Sequence, residues 1–147
     1  MSVDNPSKGS MKDLRRPKSP NPTIALAALL GMASVALGAF GAHALRGVLD
    51  EAQQATYQTA TTYQMWHALA LLGIGILESL NPPTRLLKWS RNTMFMGTIA
   101  FSGSLYLLVL TGVRAFGFVT PVGGCMLLMA WLLLAINQWR YDKRFES

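Results

Sequence analysis

The chain of 147 residues has room for one domain, and it is 51% hydrophobic and only 14% charged, against roughly 25% charged in soluble domains. The apolar residues lie in long blocks without polar faces of useful width, which argues against a soluble helical bundle. The formal net charge of +6 could suit nucleic acid, but the basic residues follow the pattern of membrane topology instead.

Residues 1–22 contain four prolines, several serines and basic residues, and almost nothing to bury, so they are predicted to form a disordered cytoplasmic tail. The first apolar block, 23–42, follows Asn21-Pro22-Thr23, where proline suits the first helical turn. Gly41-Ala42-His43-Ala44 imitates the cleavage site of a signal peptide, but the 20 apolar residues exceed the roughly 7–15 of a signal's apolar region. The block is therefore predicted to be a retained first span.

Small residues recur through this first span at spacings of four and three. That spacing keeps them on one helix face, where a second helix can approach closely. The pattern predicts a packing face, and the alternative is a small-residue lining of a pore. The predicted packing residues, which follow Ala27, are Gly31, Ser34, Gly38 and Gly41.

The second apolar block, 63–80, is the later part of a longer predicted helix. Asp50 with Gln53 predicts a helix N-cap and its capping-box partner. From Glu51 nothing interrupts a helix before Asn81-Pro82-Pro83, which gives 30 residues and about 45 Å of length. The Gln/Thr/Ala-rich first part is predicted to project from the membrane or kink at its surface, with Tyr57 in the interfacial aromatic belt.

The third and fourth blocks, 93–113 and 116–139, are joined by very few residues around Arg114 and predict a tight antiparallel hairpin. Every block reaches about 18 residues, which can cross a hydrocarbon core about 30 Å thick. Cys125 lies inside the fourth block and is the single cysteine, so it forms no internal disulfide and is expected to be inert. Residues 140–147 are predicted to form a short cytoplasmic tail.

The basic residues alternate between the two sides of the predicted membrane domain. Five precede the first span, one follows it, three lie between spans two and three, one lies between spans three and four, and three follow the last span. The positive-inside rule then places both termini in the cytoplasm. The predicted fold class is all-α: a polytopic membrane protein, spanning residues 23–139, with a bundle of four transmembrane helices. Contact with anionic lipid headgroups is a side effect of this charge distribution, and nucleic-acid binding is not predicted.

Several segments between about residue 25 and residue 135 match those of one known family, and they occur in the same order as in that family. They resemble the YgdD-like family of small four-span membrane proteins, a domain of unknown function whose activity is uncharacterised. The resemblance implies a multi-pass protein of the inner membrane and brings no catalytic residue or cofactor with it. The segments include Gly38-Ala-Phe-Gly-Ala-His43, Tyr63-Gln64, His67-Ala-Leu-Ala-Leu-Leu72, Phe101-Ser-Gly-Ser-Leu-Tyr106 and Thr120-Pro-Val-Gly-Gly124.

Most polar positions of these segments are predicted to converge in the outer-leaflet half of the bundle. There they form either a hydrogen-bonded network that aligns the helices, which we prefer, or a small polar site open to the outside. Tyr63, Gln64 and His67 are expected to face the bundle interior, near His43 and Tyr106. The predicted cluster consists of His43, Tyr63, Gln64, His67, Ser104, Tyr106 and Thr120.

Glu78 is the one acid inside a predicted span. An intramembrane carboxylate suggests a functional site, as in proton-coupled carriers. Glu78 lies close to the cytoplasmic end of its block, however, where it can reach the interface or pair with Arg85. The second interpretation is preferred.

Catalytic and metal-binding patterns are not found in the sequence. His43 and His67, with Asp50 and Glu51 nearby, invite a metal hypothesis, but they lack the His-x-x-x-His type of spacing. Haem has no further support, and no catalytic triad, phosphate loop or Cys-x-x-Cys motif occurs. We therefore expect no cofactor, no metal and no enzymatic activity. The preferred function is a membrane accessory or assembly module, as a homo-oligomer or with a membrane protein partner. The alternative is a small-solute or ion transporter, although no repeat relates the two halves.

Overall fold

The computed structural model describes residues 20–80 and 82–142. Within these ranges the chain forms four α-helices and one 3-10 segment, without strands, so the all-α class is confirmed. The predicted disorder of the N-terminal tail falls on residues outside this description, apart from residues 20–22. The elements are α1 (Pro22–His43), α2 (Glu51–Leu80), α3 (Arg85–Thr111), the 3-10 segment (Arg114–Phe118) and α4 (Val119–Asp142).

Short polar motifs set the helix starts. Asn21 Oδ1 accepts from the Thr23 backbone N–H at 2.9 Å, with Pro22 in the first turn, as predicted. At the start of α2, Asp50 Oδ1 accepts from the Gln53 N–H (2.8 Å) while Gln53 Oε1 accepts from the Asp50 N–H (3.0 Å). This reciprocal pair is the predicted capping box. It starts a single uninterrupted helix of 30 residues.

α3 and α4 form the predicted hairpin, but its connection, residues 112–118, is longer than the two residues left between the predicted blocks 93–113 and 116–139. α3 ends at Thr111, and its C-cap residue Gly112 has a φ of 71°, in the left-handed region that glycine adopts without strain. The 3-10 segment then leads directly into α4. α3 and α4 share the most extensive helix contact of the fold. At Gly123 a Cβ atom would lie 2.5 Å from the Phe101 backbone nitrogen, so the absence of a side chain lets the two helices meet.

The helices pack as neighbours in chain order: α1 on α2, α2 on α3, and α3 on α4. α2 and α3 therefore form the centre, while α1 and α4 lie on either side. The core is apolar and draws on all four helices. Its buried members are Ala27, Leu30, Ala68, Leu71, Ile74, Leu87, Met94, Leu127 and Ala130.

Three of the four predicted small packing residues contact α2. Ser34 Oγ donates to the Thr61 carbonyl at 2.8 Å, and a Cβ on Gly31 would meet the Ala68 Cβ at 4.0 Å. A Cβ on Gly41 would lie 2.5 Å from the ring of Tyr57.

Gly38 departs from the prediction, because a Cβ there would meet nothing within 4 Å. At this level the gap between α1 and α2 is bridged by the Tyr57 side chain. Its ring meets Gly41 and its hydroxyl donates to the Leu37 carbonyl at 2.9 Å, so the two backbones do not come together at Gly38.

The contacts between α1 and α2 also show which part of α2 lies level with α1. Tyr57 is opposite Leu37, Thr61 is opposite Ser34, and Glu78 is opposite Thr23. Residues 57–78 of α2 therefore accompany α1 along its length, whereas hydropathy alone marks 63–80. The difference arises because Gln58 and the three threonines of residues 57–62 lower the local hydropathy.

Apolarity differs among the helices for a related reason. α1, α3 and the segment Arg114–Arg140 are long and apolar enough to cross a membrane. α2 is long enough, at 30 residues, but it is less apolar because Gln64, His67 and Glu78 interrupt its hydrophobic residues. These three side chains organise the polar contacts of the bundle.

Candidate functional site

Gln64 connects three helices through one buried amide. From α2, its Nε2 donates to the Leu30 carbonyl of α1 at 2.9 Å, and its Oε1 accepts from the Tyr106 hydroxyl of α3 at 3.0 Å. The side chain is 6% exposed. A buried amide without partners would be strongly unfavourable, so this pairing fixes the rotational setting of α2 between its neighbours.

Two tyrosines continue this contact along α2 and α3. The rings of Tyr57 and Tyr106 meet edge-on, with centroids 5.2 Å apart. Tyr57 is 1% exposed, so its predicted place in the interfacial aromatic belt is wrong. A sequence signal for this burial exists, since Tyr57 precedes Gln64 by seven residues and thus shares its helix face.

The His67 side chain of α2 contacts α4, and its two hydrogen bonds define one tautomer. Its Nδ1 lies 2.7 Å from the Tyr63 carbonyl, which only accepts, so Nδ1 carries the proton. Its Nε2 lies 3.4 Å from the indole Nε1 of Trp131, which only donates, so Nε2 is the acceptor. Both ring nitrogens of a neutral imidazole are therefore used. Trp131 belongs to the bundle's polar contacts although it was not predicted as a site residue.

Tyr63 completes this group, which we call the amide cluster: Tyr57, Tyr63, Gln64, His67, Tyr106 and Trp131. The Tyr63 ring stacks on Phe101 of α3 with centroids 4.7 Å apart. Tyr63, Gln64 and His67 thus all contact other helices, as expected. The depth differs from the prediction, because Gln64 meets Leu30 near the middle of α1 rather than near its His43 end.

The remaining predicted cluster residues lie elsewhere. Ser104 Oγ donates to the Phe101 carbonyl at 2.9 Å and lies 2.8 Å from Thr120 Oγ1, so Thr120 supplies the proton of the second bond. This pair joins α3 to α4 at a place separate from the contacts of Gln64. His43 is exposed at the last residue of α1 and takes no part in the amide cluster, because α1 ends there and the chain turns away.

A second polar group, the ion-pair cluster, consists of Asn21, Thr23, Glu78 and Arg91. Glu78 Oε1 lies 3.0 Å from Arg91 Nη1, and Oε2 accepts from Thr23 Oγ1 at 2.6 Å. Asn21 Nδ2 donates to the Gly75 carbonyl at 2.8 Å and also contacts Ser79. The ends of α1, α2 and α3 are thereby joined.

The partner of Glu78 is therefore Arg91, and the predicted pairing with Arg85 is wrong. Arg85 lies on the exposed face of α3, whereas Arg91 projects toward α2. The Glu78 side chain is 5% exposed and that of Arg91 is 28% exposed. The carboxylate is thus buried while the guanidinium still reaches the surface.

Open cavities lie beside the two ends of the bundle. One of about 370 Å³ is bordered by Asn21, Glu78 and Arg91. Another of about 530 Å³ lies at the turn between α1 and α2, with Arg46 and Asp50 in its lining. The fully buried side chains of Leu71, Ile74 and Met94 occupy the core between these ends. In the described ranges, no three His, Cys, Asp or Glu side chains are grouped to hold a metal ion.

Comparisons with known proteins identify relatives along most of the chain. The family model described as Protein of unknown function (DUF423) matches residues 37–124. UPF0382 membrane protein SAB0533 of Staphylococcus aureus is 42% identical over 118 residues, covering 80% of this chain and 95% of the relative. UPF0382 inner membrane protein YgdD of Escherichia coli K12 is 39% identical over 121 residues, covering 82% and 92%. No solved structure matches the chain. The family match includes the Gln64–Tyr106 bond and the Glu78–Arg91 pair.

Proposed function

Since the chain belongs to the DUF423 (UPF0382) family of membrane proteins of unknown function, we propose that it is a four-span protein of the inner membrane with both termini in the cytoplasm. We further propose that it is a non-enzymatic accessory or assembly module. The proposed inner-membrane location follows the name of the Escherichia coli relative, which is called an inner membrane protein.

The burial of the polar side chains of α2 supports the proposal that α2 crosses the membrane in addition to α1, α3 and α4. Gln64 and His67 face other helices, while the outward positions of the same helix are the exposed Trp66, Leu69 and Ile76. Mean hydropathy counts buried and exposed residues alike, so it underrates a helix whose polar groups are hidden. From Trp66 to Leu77, the exposed residues that α2 offers to lipid are apolar.

The threonines in the first part of α2 support the same proposal. Thr56, Thr59 and Thr61 each donate their hydroxyl to a carbonyl of their own helix, at 2.8–2.9 Å. A threonine bonded in this way places no unpaired polar group in lipid. This part of α2 can therefore lie within the membrane beside α1.

The orientation is tested by reporter fusions on the full chain. The alternating basic residues predict that an alkaline phosphatase fused at Asp50 is active outside, and that a fluorescent protein fused after Ser147 is fluorescent inside. A periplasmic C-terminus would overturn the proposed topology. Fusions after Asn92 and Arg114 report the location of the connections between spans two and three and between spans three and four. We expect these to lie inside and outside respectively.

The module function rests on one observation: the buried amide, imidazole and carboxylate side chains of α2 are bonded to other groups of the protein, whereas among the described residues the Ser102 hydroxyl is buried without a partner. Gln64 uses both ends of its amide, His67 uses both nitrogens, and Glu78 uses both oxygens. A substrate would have to replace these internal bonds. The arrangement therefore favours alignment of helices, as a homo-oligomer or beside a membrane protein partner, over catalysis or transport.

A small-solute or ion transporter is the second candidate, and the cavities at the two ends of the bundle favour it. Flux assays in proteoliposomes with a panel of ions and metabolites separate the two functions. The module proposal expects flux no greater than that of empty liposomes. A flux that depends on the protein and disappears in Gln64→Leu would overturn it and support transport through the amide cluster.

A further inference from the structure

One face of α3 near its start carries two cations, an indole and an amide. Arg85, Lys88, Trp89 and Asn92 recur at spacings of three, four and seven residues and are all exposed. A depression of about 300 Å³ lies among them. The buried face of the same turns points the opposite way, so this face is turned away from the other helices.

The two cations on this face have no anionic partner among the described side chains. The ion pair found among the side chains of residues 20–80 and 82–140 joins Glu78 to Arg91, and neither Arg85 nor Lys88 takes part in one there. The free N–H groups at the start of α3 add partial positive charge nearby. Asn92 accepts from Arg91 Nε through its Oδ1 at 3.0 Å, which keeps its NH₂ group as a donor. The arrangement complements a phosphate, which arginine binds with two parallel hydrogen bonds.

The same face continues into the membrane as an apolar strip with a notch. Met96 and Ile99 are exposed on it, and at Gly103 a Cβ would meet nothing within 4 Å. Eleven residues separate Asn92 from Gly103, or about 17 Å of helix, close to the roughly 15 Å of one hydrocarbon leaflet. The charged part and the apolar strip together have the dimensions of one phospholipid molecule.

α2 shows which part of this face is distinctive. Its outward face has an exposed indole at Trp66, an exposed Leu69, and a glycine at Gly73 with nothing within 4 Å of a Cβ. The preceding positions on that face are Thr59 and Thr62, without charge. Both helices thus have a lipid-facing apolar strip, but α3 alone of the two adds cations without an ion pair among the described side chains, where a headgroup would lie.

We propose that the outward face of α3 binds one anionic phospholipid of the cytoplasmic leaflet. Arg85 and Lys88 hold the phosphate, Trp89 lies at the level of the glycerol backbone, and an acyl chain follows the strip to Gly103. Lipid is favoured over a soluble anion or nucleic acid because the cations lead directly into an apolar strip. Binding needs the membrane location and goes beyond the module function.

Native mass spectrometry of the full chain in neutral detergent tests this site. Phosphatidylglycerol and phosphatidylcholine with the same acyl chains are supplied together, and retained lipid is counted. We expect at least a tenfold preference for phosphatidylglycerol, falling at least fivefold in Arg85→Gln/Lys88→Gln. The matched control, Arg46→Gln/Arg114→Gln, removes two cations from the opposite end and should keep the preference. Equal retention of the two lipids, or an equal fall in the control, would overturn the proposal.

Two further arms identify the ligand and the path of its chain. Glycerol phosphate, the soluble headgroup, should not displace the lipid at a hundredfold excess, and full displacement would indicate a site for a free anion instead. Gly103→Leu should weaken retention of long-chain phosphatidylglycerol more than Gly73→Leu on α2. Equal effects of the two glycine variants would refute the acyl path. Arg85 and Lys88 are exposed, so their replacement leaves the core intact, and the topology fusions report independently on the proposed function.

Discussion

The amide cluster in the middle of the bundle joins helices through neutral side chains, whereas the ion-pair cluster at the ends of α1 and α2 joins them through charges. Gln64 contacts α1 at Leu30, which lies eight residues after the first helical residue Pro22. Glu78 contacts α1 at Thr23, in its first turn. A charge in the middle of a bilayer is far more costly than a neutral amide, and near the boundary its partner can still reach water or headgroups. The chemistry of each contact thus matches its depth.

Removal of the Glu78 carboxylate should cause the largest loss of stability among the contacts of the two clusters. Glu78→Ala leaves the Arg91 guanidinium and the Thr23 hydroxyl without their acceptor, and we expect a loss of about 3 kcal/mol in the free energy of unfolding. Glu78→Gln should lose less, because its amide oxygen can still accept from Thr23. Unfolding in mixed detergent micelles measures both variants. A smaller loss for Glu78→Ala than for Gln64→Leu would contradict the greater weight given to the ion pair.

Gly41→Ala should cost about 2 kcal/mol, the range of overpacked cores. The new methyl group would lie 2.5 Å from the Tyr57 ring, and that ring is fixed by its hydrogen bond to the Leu37 carbonyl. Gly38→Ala is the matched control on the same helix and should change stability by less than about 0.5 kcal/mol. Similar losses in the two variants would show that α1 and α2 pack more evenly than their contacts indicate.

Gln64→Leu tests the neutral cluster and should cost about 1–2 kcal/mol, since hydrogen bonds within membranes average only about 0.6 kcal/mol and two are lost. The variant also leaves the Tyr106 hydroxyl without its acceptor. Tyr106→Phe in the Gln64→Leu background should therefore restore part of the stability. A double variant that is worse than the sum of the single variants would argue against this explanation.

Trp131→Phe should have the smallest effect, about 0.5 kcal/mol or less. The indole nitrogen lies 3.4 Å from His67 Nε2, which is long for a hydrogen bond, and phenylalanine keeps most of the ring contact. The imidazole NMR signals of His67 should nevertheless shift, because its acceptor nitrogen loses the indole proton. Unchanged signals would mean that α4 does not contact the amide cluster through this pair.

Local features of the fold were predictable from sequence because they depend on neighbours in the chain. The Asp50–Gln53 capping box and Pro22 in the first turn follow from spacings of a few residues. The inward orientation of Gln64 and His67 follows from helix periodicity and from the unfavourable exposure of an amide to lipid. These arguments require no knowledge of how two helices are aligned.

Features that depend on the alignment of two helices were not predictable in the same way. The choice of Arg91 over Arg85 as the partner of Glu78 depends on the level and rotation of α3 beside α2. Both arginines follow the turn after α2 and look equivalent in the sequence. The prediction that Gly38 packs closely against a second helix was wrong for a similar reason, since its surroundings depend on how far Tyr57 separates α1 from α2.

The polar side chains of α2 have a consequence for biogenesis. Gln64 and His67 find their partners on α1, α3 and α4, and two of these helices are synthesised after α2. During synthesis α2 would enter lipid with the amide oxygen of Gln64 and the Nε2 atom of His67 still unmatched. We therefore expect α2 to remain at the insertion machinery until α3 and α4 emerge, so that the second half of the chain completes the insertion of the first.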